Sequence, residues 1–296
     1  MKSIGWLETS LQVPDDWDLI AESGGINEAY MRFDSVDRIR MELKWERTKK
    51  RGEAMPLLAV DGYIKEVTKS AKAKKSANVV EKGNAKVAGH KAYYNMWELK
   101  DEWFITTCWL CPDEGKMFLV QYFLAPGENK SDRFEEILRG VECHMEGDFY
   151  NYRLFGARFQ TPKGYQLSAR KILVGRVRTS FVHVDSMLYL SWVGMAKEQL
   201  KKHETIGRFF KSVEAPDVRS MGGIGSLANK VKEEDEEVDL HSITKPMVPF
   251  LSKPKHCRLK VSFDENSNKL FTSGYACVPD EVERAETFMA SVGGCE

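Results

Sequence analysis

The residues best suited to metal or thiol chemistry are six cysteines and six histidines. The densest group is Cys108-Trp109-Leu110-Cys111, followed by Cys143-His144. Sulfur and imidazole donors are what a zinc ion takes, and Cys-x-x-Cys is also the spacing of a thioredoxin-type redox pair. Strand geometry opposes both readings. Residues three apart in an extended strand face opposite sides, so Cys108 and Cys111 cannot share one ion without a hook at Pro112. A redox pair normally heads a helix, where the helix N-terminus lowers a thiol pKa, and this one ends a strand. Buried cysteine packing is therefore preferred, with no cofactor needed. Zinc is the ion the set would take if Cys108, Cys111, Cys143, His144, Cys257 and Cys295 served metal or redox chemistry. A third reading is a bridge from Cys143 to a strand cysteine, either Cys108 or Cys111. Cys257 and Cys295 repeat the arrangement in the second half, and an intracellular disulfide fits only a thermophile.

Other catalytic arrangements are missing. There is no Gly-x-Ser-x-Gly, no Walker motif and no His-Glu-x-x-His. Met221-Gly-Gly-Ile-Gly-Ser lacks the preceding strand and closing Lys-Ser/Thr of a phosphate loop and reads as linker. His183 sits in an alternating strand as a core or face residue. No residue is assigned a catalytic role. An enzyme with a cleft between the two halves stays as an alternative.

Charge gives a further clue. The net charge is zero, but residues 1–148 hold 22 basic and 26 acidic side chains, against 22 and 18 in residues 149–296. Residues 149–232 hold 15 basic and 5 acidic, and Glu233-Glu234-Asp235-Glu236-Glu237 supplies much of the offset. Arg170, Lys171, Arg176 and Arg178 on adjacent strands, with Lys201 and Lys202 on the following helix, are expected to form a basic face. The bland reading is a solvated edge that resists aggregation. The functional one is a platform for an anionic partner: a protein or nucleoprotein assembly, with nucleic acid as a further option. Val177, Thr179 and Phe181 point inward, which leaves that face without stacking aromatics. The acidic run is a candidate mask over it.

The elements that hold these residues come twice. Leu11-Gln-Val-Pro14-Asp-Asp-Trp17 and Phe159-Gln-Thr-Pro162-Lys-Gly-Tyr165 each read as a strand, a proline turn and an aromatic opening the next strand. Strands ending in Trp45 and Trp192 follow. Helices near 131–142 and at Glu283–Cys295 close the halves, each ending in a cysteine (Cys143, Cys295). The order points to two tandem domains, 1–146 and 149–296, joined near Glu146–Tyr150. Domain 1 is expected to run through strands 4–13, 17–22, 29–34 and 38–46 and a helix 54–70. Strands 79–87, 90–99, 102–111 and 116–124 then lead to the last helix. The stretch Lys65–Lys75 reads as the basic tail of the middle helix. Adjacent aromatics such as Trp103-Phe104 require cover on both sheet faces. In domain 2 the segment 214–256, rich in Gly, Pro and charge, is expected to be a mobile insertion that keeps one edge strand.

This order resembles the PsbP-like fold, shared by the extrinsic photosystem II subunit and a small Ran-binding nuclear import factor. The resemblance rests on element order and on Pro14/Trp17 and Pro162/Tyr165. It implies an α+β fold of two antiparallel-sheet domains with helices packed on the sheets, and binding rather than turnover. The charge balance suggests an archaeal or thermophilic source. With no signal peptide and no membrane-length apolar run, the expectation is a cytoplasmic, non-enzymatic binding or assembly protein without a membrane partner.

Overall fold

The computed structural model describes residues 1–49, 55–70, 77–128, 130–244 and 254–295. It divides the chain into two compact units, Met1–Gly147 and Asp148–Glu296.

The first unit opens with a hairpin of β1 (Lys2–Trp6) and β2 (Thr9–Val13). A single strand was expected over 4–13. The chain turns at Leu7 and Glu8, both at positive φ (44° and 68°), where no glycine or asparagine marks the turn in sequence. There follow β3 (Asp18–Gly24), β4 (Glu28–Asp34), β5 (Ile39–Arg47), α1 (Met55–Ser70), β6 (Asn78–Val87), β7 (His90–Leu99), β8 (Glu102–Cys111), β9 (Lys116–Phe123) and α2 (Lys130–Arg139). The seven long strands form one antiparallel sheet in the order β3-β4-β5-β9-β8-β7-β6.

Helix α1 forms because Val60, Ile64 and Val67 recur at helical spacing on one face, while Pro56 falls in the first turn, where its missing N–H is harmless. That face packs on Trp97, Phe104 and Cys108. The part of the lysine-rich tail beyond Ser70, residues 71–75, lies outside the described residues. Helix α2 covers the opposite face, where the Phe134 ring lies 5.7 Å from Tyr122. Strand alternation therefore sends Cys108 under α1 and Cys111 to the α2 side.

The second unit begins with β10 (Phe149–Leu154) and β11 (Ala157–Pro162), then β12 (Gln166–Leu173), β13 (Arg176–His183) and β14 (Ser186–Gly194). A helical layer follows: α3 (Ala196–His203), α4 (Ile206–Phe209), a π turn at Phe210–Glu214, α5 (Ala215–Val218) and α6 (Gly222–Ala228). Strands β15 (Val238–Thr244), β16 (Lys255–Asp264) and β17 (Lys269–Cys277), helix α7 (Val282–Ser291) and the two-residue β18 (Gly293–Gly294) complete it. The antiparallel sheet order is β12-β13-β14-β17-β16-β15, that of the first unit without a counterpart of β6. Local details agree as well. Trp17 N–H donates to Pro14 O (3.1 Å) and Tyr165 N–H to Pro162 O (3.2 Å). Trp45 pairs with Phe118 and Trp192 with Phe271 across neighbouring strands.

Of the segment 214–256, the described residues 214–244 are largely packed rather than mobile. Ala215, Val218, Ile224, Leu227, Ala228, Val231 and Val238 all enter the core under the helical layer. Their apolar spacing was masked in the sequence by the surrounding glycines and charges. One of those glycines and one in α4 permit close approach: a Cβ on Gly223 would overlap Cys257 Sγ, and one on Gly207 would overlap Lys232 O. The edge strand expected here is β15; residues 245–253 lie outside the described residues.

Candidate metal centre

Four donor side chains of the first unit converge: His90, Cys111, Cys143 and His144, with all their ligand atoms within 4.8 Å of one another. Three segments bring them together. Strands β7 and β8 are antiparallel through Ala92–Trp109, and two residues further along this register His90 stands opposite Cys111. Gly89, at φ 84° in the tight β6–β7 turn, sets where His90 begins its strand. The third segment follows α2. Glu142 exchanges both backbone hydrogen bonds with Ser10 of β2 (2.8 and 3.1 Å), and Gln12 N–H donates to Gly140 O (3.1 Å). This tether delivers Cys143 and His144 to the end of the sheet.

Three of the six donor–donor spacings match the edges of one tetrahedral ion. His90 Nε2 lies 3.3 Å from His144 Nδ1, which is 3.6 Å from Cys111 Sγ and 3.4 Å from Cys143 Sγ. Tetrahedral zinc with Zn–N of about 2.05 Å and Zn–S of about 2.3 Å sets nitrogens about 3.3 Å apart and nitrogen and sulfur about 3.55 Å apart. The cysteines are buried and the histidines half-buried, so the donors sit just beneath the surface. Asp113 Oδ2, on the β8–β9 turn, lies 3.8 Å from His90 Nε2 and 3.9 Å from His144 Nδ1, so a carboxylate borders the cluster on the side of the same two nitrogens.

The thiols are electrostatically prepared for an ion. A hydrogen bond from Cys143 holds the Cys111 thiol down, at about 5, against burial, helped by the Glu114 backbone and the two histidines. The Cys143 thiol is pushed up by the same hydrogen bond and by burial. The pair thus favours the thiolate on Cys111 and the proton on Cys143.

Of the cysteines singled out in the sequence, the geometry gathers Cys111 and Cys143 with His144, and leaves Cys108, Cys257 and Cys295 apart. Cys108 is enclosed by the α1 core, and burial pushes its thiol up to about 12. Cys257 packs against Gly223 of α6, whereas the backbone of Cys295 bonds Gly156 at the β10–β11 turn. These two do not repeat the first unit's arrangement. In β16, Asp264 occupies the position of Cys111: Asp264–Lys269 closes its hairpin as Cys111–Lys116 closes the other. Asp264 Oδ2 accepts the Gly294 N–H directly (2.7 Å), so a carboxylate ties down the segment after the last helix there. The sequence reading missed His90, although a signal was available: in a hairpin turning at Lys100-Asp101, with Leu99 opposite Glu102, the residue facing Cys111 is His90.

The expected basic face does not form as one surface. Arg170 pairs in register with Thr179 and Lys171 with Arg178, so Arg170 lies on the face opposite Lys171, Arg176 and Arg178. The latter face is the one under the helical layer. There Arg176 meets Glu214 (3.1 Å) and Asp217 (3.2 Å), and Arg178 also pairs with Asp217. Glu214 is fully buried and also accepts hydrogen bonds from Tyr189 and Ser191, both 3.0 Å. The acids covering these arginines are thus Glu214 and Asp217, not the run at 233–237, where Glu233 approaches Arg208 and the Asp235 carbonyl accepts the Gly207 N–H. Lys171, Lys201 and Lys202 are exposed.

No family model matches the chain, and no curated protein matches it. Among solved structures it is similar to the PsbP protein (CyanoP) of Synechocystis sp. PCC 6803, at 12% identity over 40% of this chain and 75% of that one, TM-score 0.30. A crystal structure from Bacteroides thetaiotaomicron VPI-5482 matches at 12% identity over 84% and 82% of the two chains, TM-score 0.31. MucB, solved in complex with MucA(peri), matches at 11% identity over 97% and 87%, TM-score 0.24. Likenesses at this level say nothing of function. A PsbP stands among them.

Proposed function

We propose that the chain is a non-enzymatic binding or assembly protein whose first unit is clasped by a zinc ion on His90, Cys111, Cys143 and His144. The observation carrying this reading is the agreement of three donor separations with the edges of one tetrahedron. Four protein donors close the coordination sphere, which is the pattern of structural zinc and leaves no position for substrate. The ion would fasten the segment after α2 to the end of the β7–β8 hairpin. Thiolate ligands suit a reducing compartment such as the cytoplasm. The shared strand order supports reading the units as two copies of one domain, only one of which keeps a metal site. An anionic partner held by Arg176 and Arg178 is not carried forward, since both are neutralised by Glu214 and Asp217.

Metal analysis of protein purified under reducing conditions tests the reading. About one zinc per chain is expected, with cobalt substitution giving the absorption of a tetrahedral thiolate site. Cys111→Ser and Cys143→Ser should lose the metal, and Cys108→Ala should keep it. Metal-free protein with six titratable thiols would return the cluster to simple packing. Metal-free protein with four would make Cys111 and Cys143 a disulfide instead.

A further inference from the structure

The tip of the β12–β13 ribbon has no part in the metal centre or in either core. It carries Ile172, Leu173 and Val174, which are 43%, 44% and 106% exposed. Met195, 64% exposed, stands beside them, because its neighbour Gly194 donates to Gly175 O in the same turn (2.9 Å). Four large aliphatic side chains in water at one projecting point call for a partner.

The register indicates what kind. Ile172 pairs with Val177 and Leu173 with Arg176, so the two side chains leave the ribbon on opposite faces, and Val174 continues past the last pair. An apolar patch on one face suits the flat surface of another protein. A tip apolar on both faces suits immersion in a fluid apolar medium. The tip also lacks the tryptophan, tyrosine and arginine anchors that dominate protein–protein hot spots, and the aromatics that stack on bases.

Charge agrees. Between Gln166 and His183 the chain holds four cations and no acid. Arg176 and Arg178 turn to Asp217 and Glu214, while Lys171 is exposed immediately behind the tip. Lys201 and Lys202, also exposed, follow along α3, while Lys197 pairs with Glu265 (3.8 Å). Aliphatic side chains backed by cations supply the two signals that reversible attachment to an anionic bilayer needs.

We infer that this tip is a peripheral docking site for an anionic lipid surface. Among the described residues no helix is long and apolar enough to cross a membrane, so the contact would be interfacial. It departs from the expectation of no membrane partner and is independent of the metal centre.

The test is co-sedimentation of the full chain with vesicles of phosphatidylcholine alone and of phosphatidylcholine mixed with phosphatidylserine, at low and high salt. Binding is expected to the mixed vesicles only, and to weaken with salt. The double variant Leu173→Glu/Val174→Glu should bind about tenfold more weakly or worse, losing two aliphatic contacts and gaining repulsion. Lys171→Glu should weaken binding with the tip intact. All these residues are exposed, so far-ultraviolet circular dichroism and the unfolding midpoint should match wild type. Wild-type protein that ignores the mixed vesicles, or a double variant that sediments like wild type, would overturn the proposal and leave the tip to a protein partner.

Discussion

Removing zinc from the first unit should change that unit alone, by an amount that can be estimated. The ion would join three segments otherwise held by the Ser10–Glu142 bridge, the β7–β8 ladder and the β8–β9 turn. A ligand that binds only the folded state, at a free concentration about a thousandfold above its Kd, stabilises by about 4 kcal/mol. For a unit the size of Met1–Gly147, each kcal/mol moves the midpoint by about 2–4 °C, so chelation should lower it by about 8–16 °C. The assay is differential scanning calorimetry with and without a strong chelator, with cobalt or zinc added back. The second unit ties its equivalent segment with Asp264, so any transition belonging to it should stay in place. Acid should mimic the chelator. The Cys143 thiol, pushed up by its hydrogen bond with Cys111 and by burial, must release its proton to solvent for the ion to bind, so affinity falls as pH falls. A trace indifferent to chelator, or Cys108→Ala losing metal as readily as Cys111→Ser, would refute the assignment.

Three further outcomes test the second unit. Glu214→Ala leaves Arg176 under the helical layer without its buried partner and should cost about 3–5 kcal/mol in urea unfolding. Gly207→Ala drives a methyl into the Lys232 carbonyl and should cost about 1–3 kcal/mol by the same measurement, with α4 the first element to lose amide protection in hydrogen exchange. Asp239 is held below the ordinary aspartate value of 3.8, chiefly by its paired hydrogen bonds with Arg258 (2.9 and 2.7 Å). Its contribution is complete above that value and is lost as pH falls through the lower folded one. Asp239→Asn should therefore be less stable than wild type at neutral pH, with the two curves converging in acid; parallel curves would show the pair contributes nothing.

Much of the first unit was legible because its signals are local. The alternating strands 90–99 and 102–111 and the helix 54–70 agree with the structure to within a residue, since period-two runs bounded by turns leave little freedom. The first hairpin was not legible: Leu7-Glu8 makes its turn at positive φ without the usual residues. The helical layer of the second unit was misread as linker because its core residues are spread among Gly222, Gly223 and Gly225. The candidate metal centre was half legible. Facing-side logic correctly separated Cys108 from Cys111, but His90 joins through cross-strand register, which spacing along the chain does not display. The arginine pair failed for a related reason: alternation put Arg176 and Arg178 on one face, but only the tertiary position of Glu214 and Asp217 shows that this face is roofed over.

The outer strands of the two large sheets carry a consequence for how the protein survives at high concentration. Strand β3 slips register between Leu19 and Ala21, β6 between Val79 and Glu81, and β12 between Leu167 and Ala169. Each slip leaves a residue unpaired, tightens the local twist and spoils the straight row of donors and acceptors onto which another molecule's strand would zip. Strand β15 alone keeps an unbroken register, from Val238–Val261 to Thr244–Lys255. Its margin is therefore the weak seam: intermolecular strand growth in a crowded or heated solution should nucleate along β15, and the other three rims should stay inert.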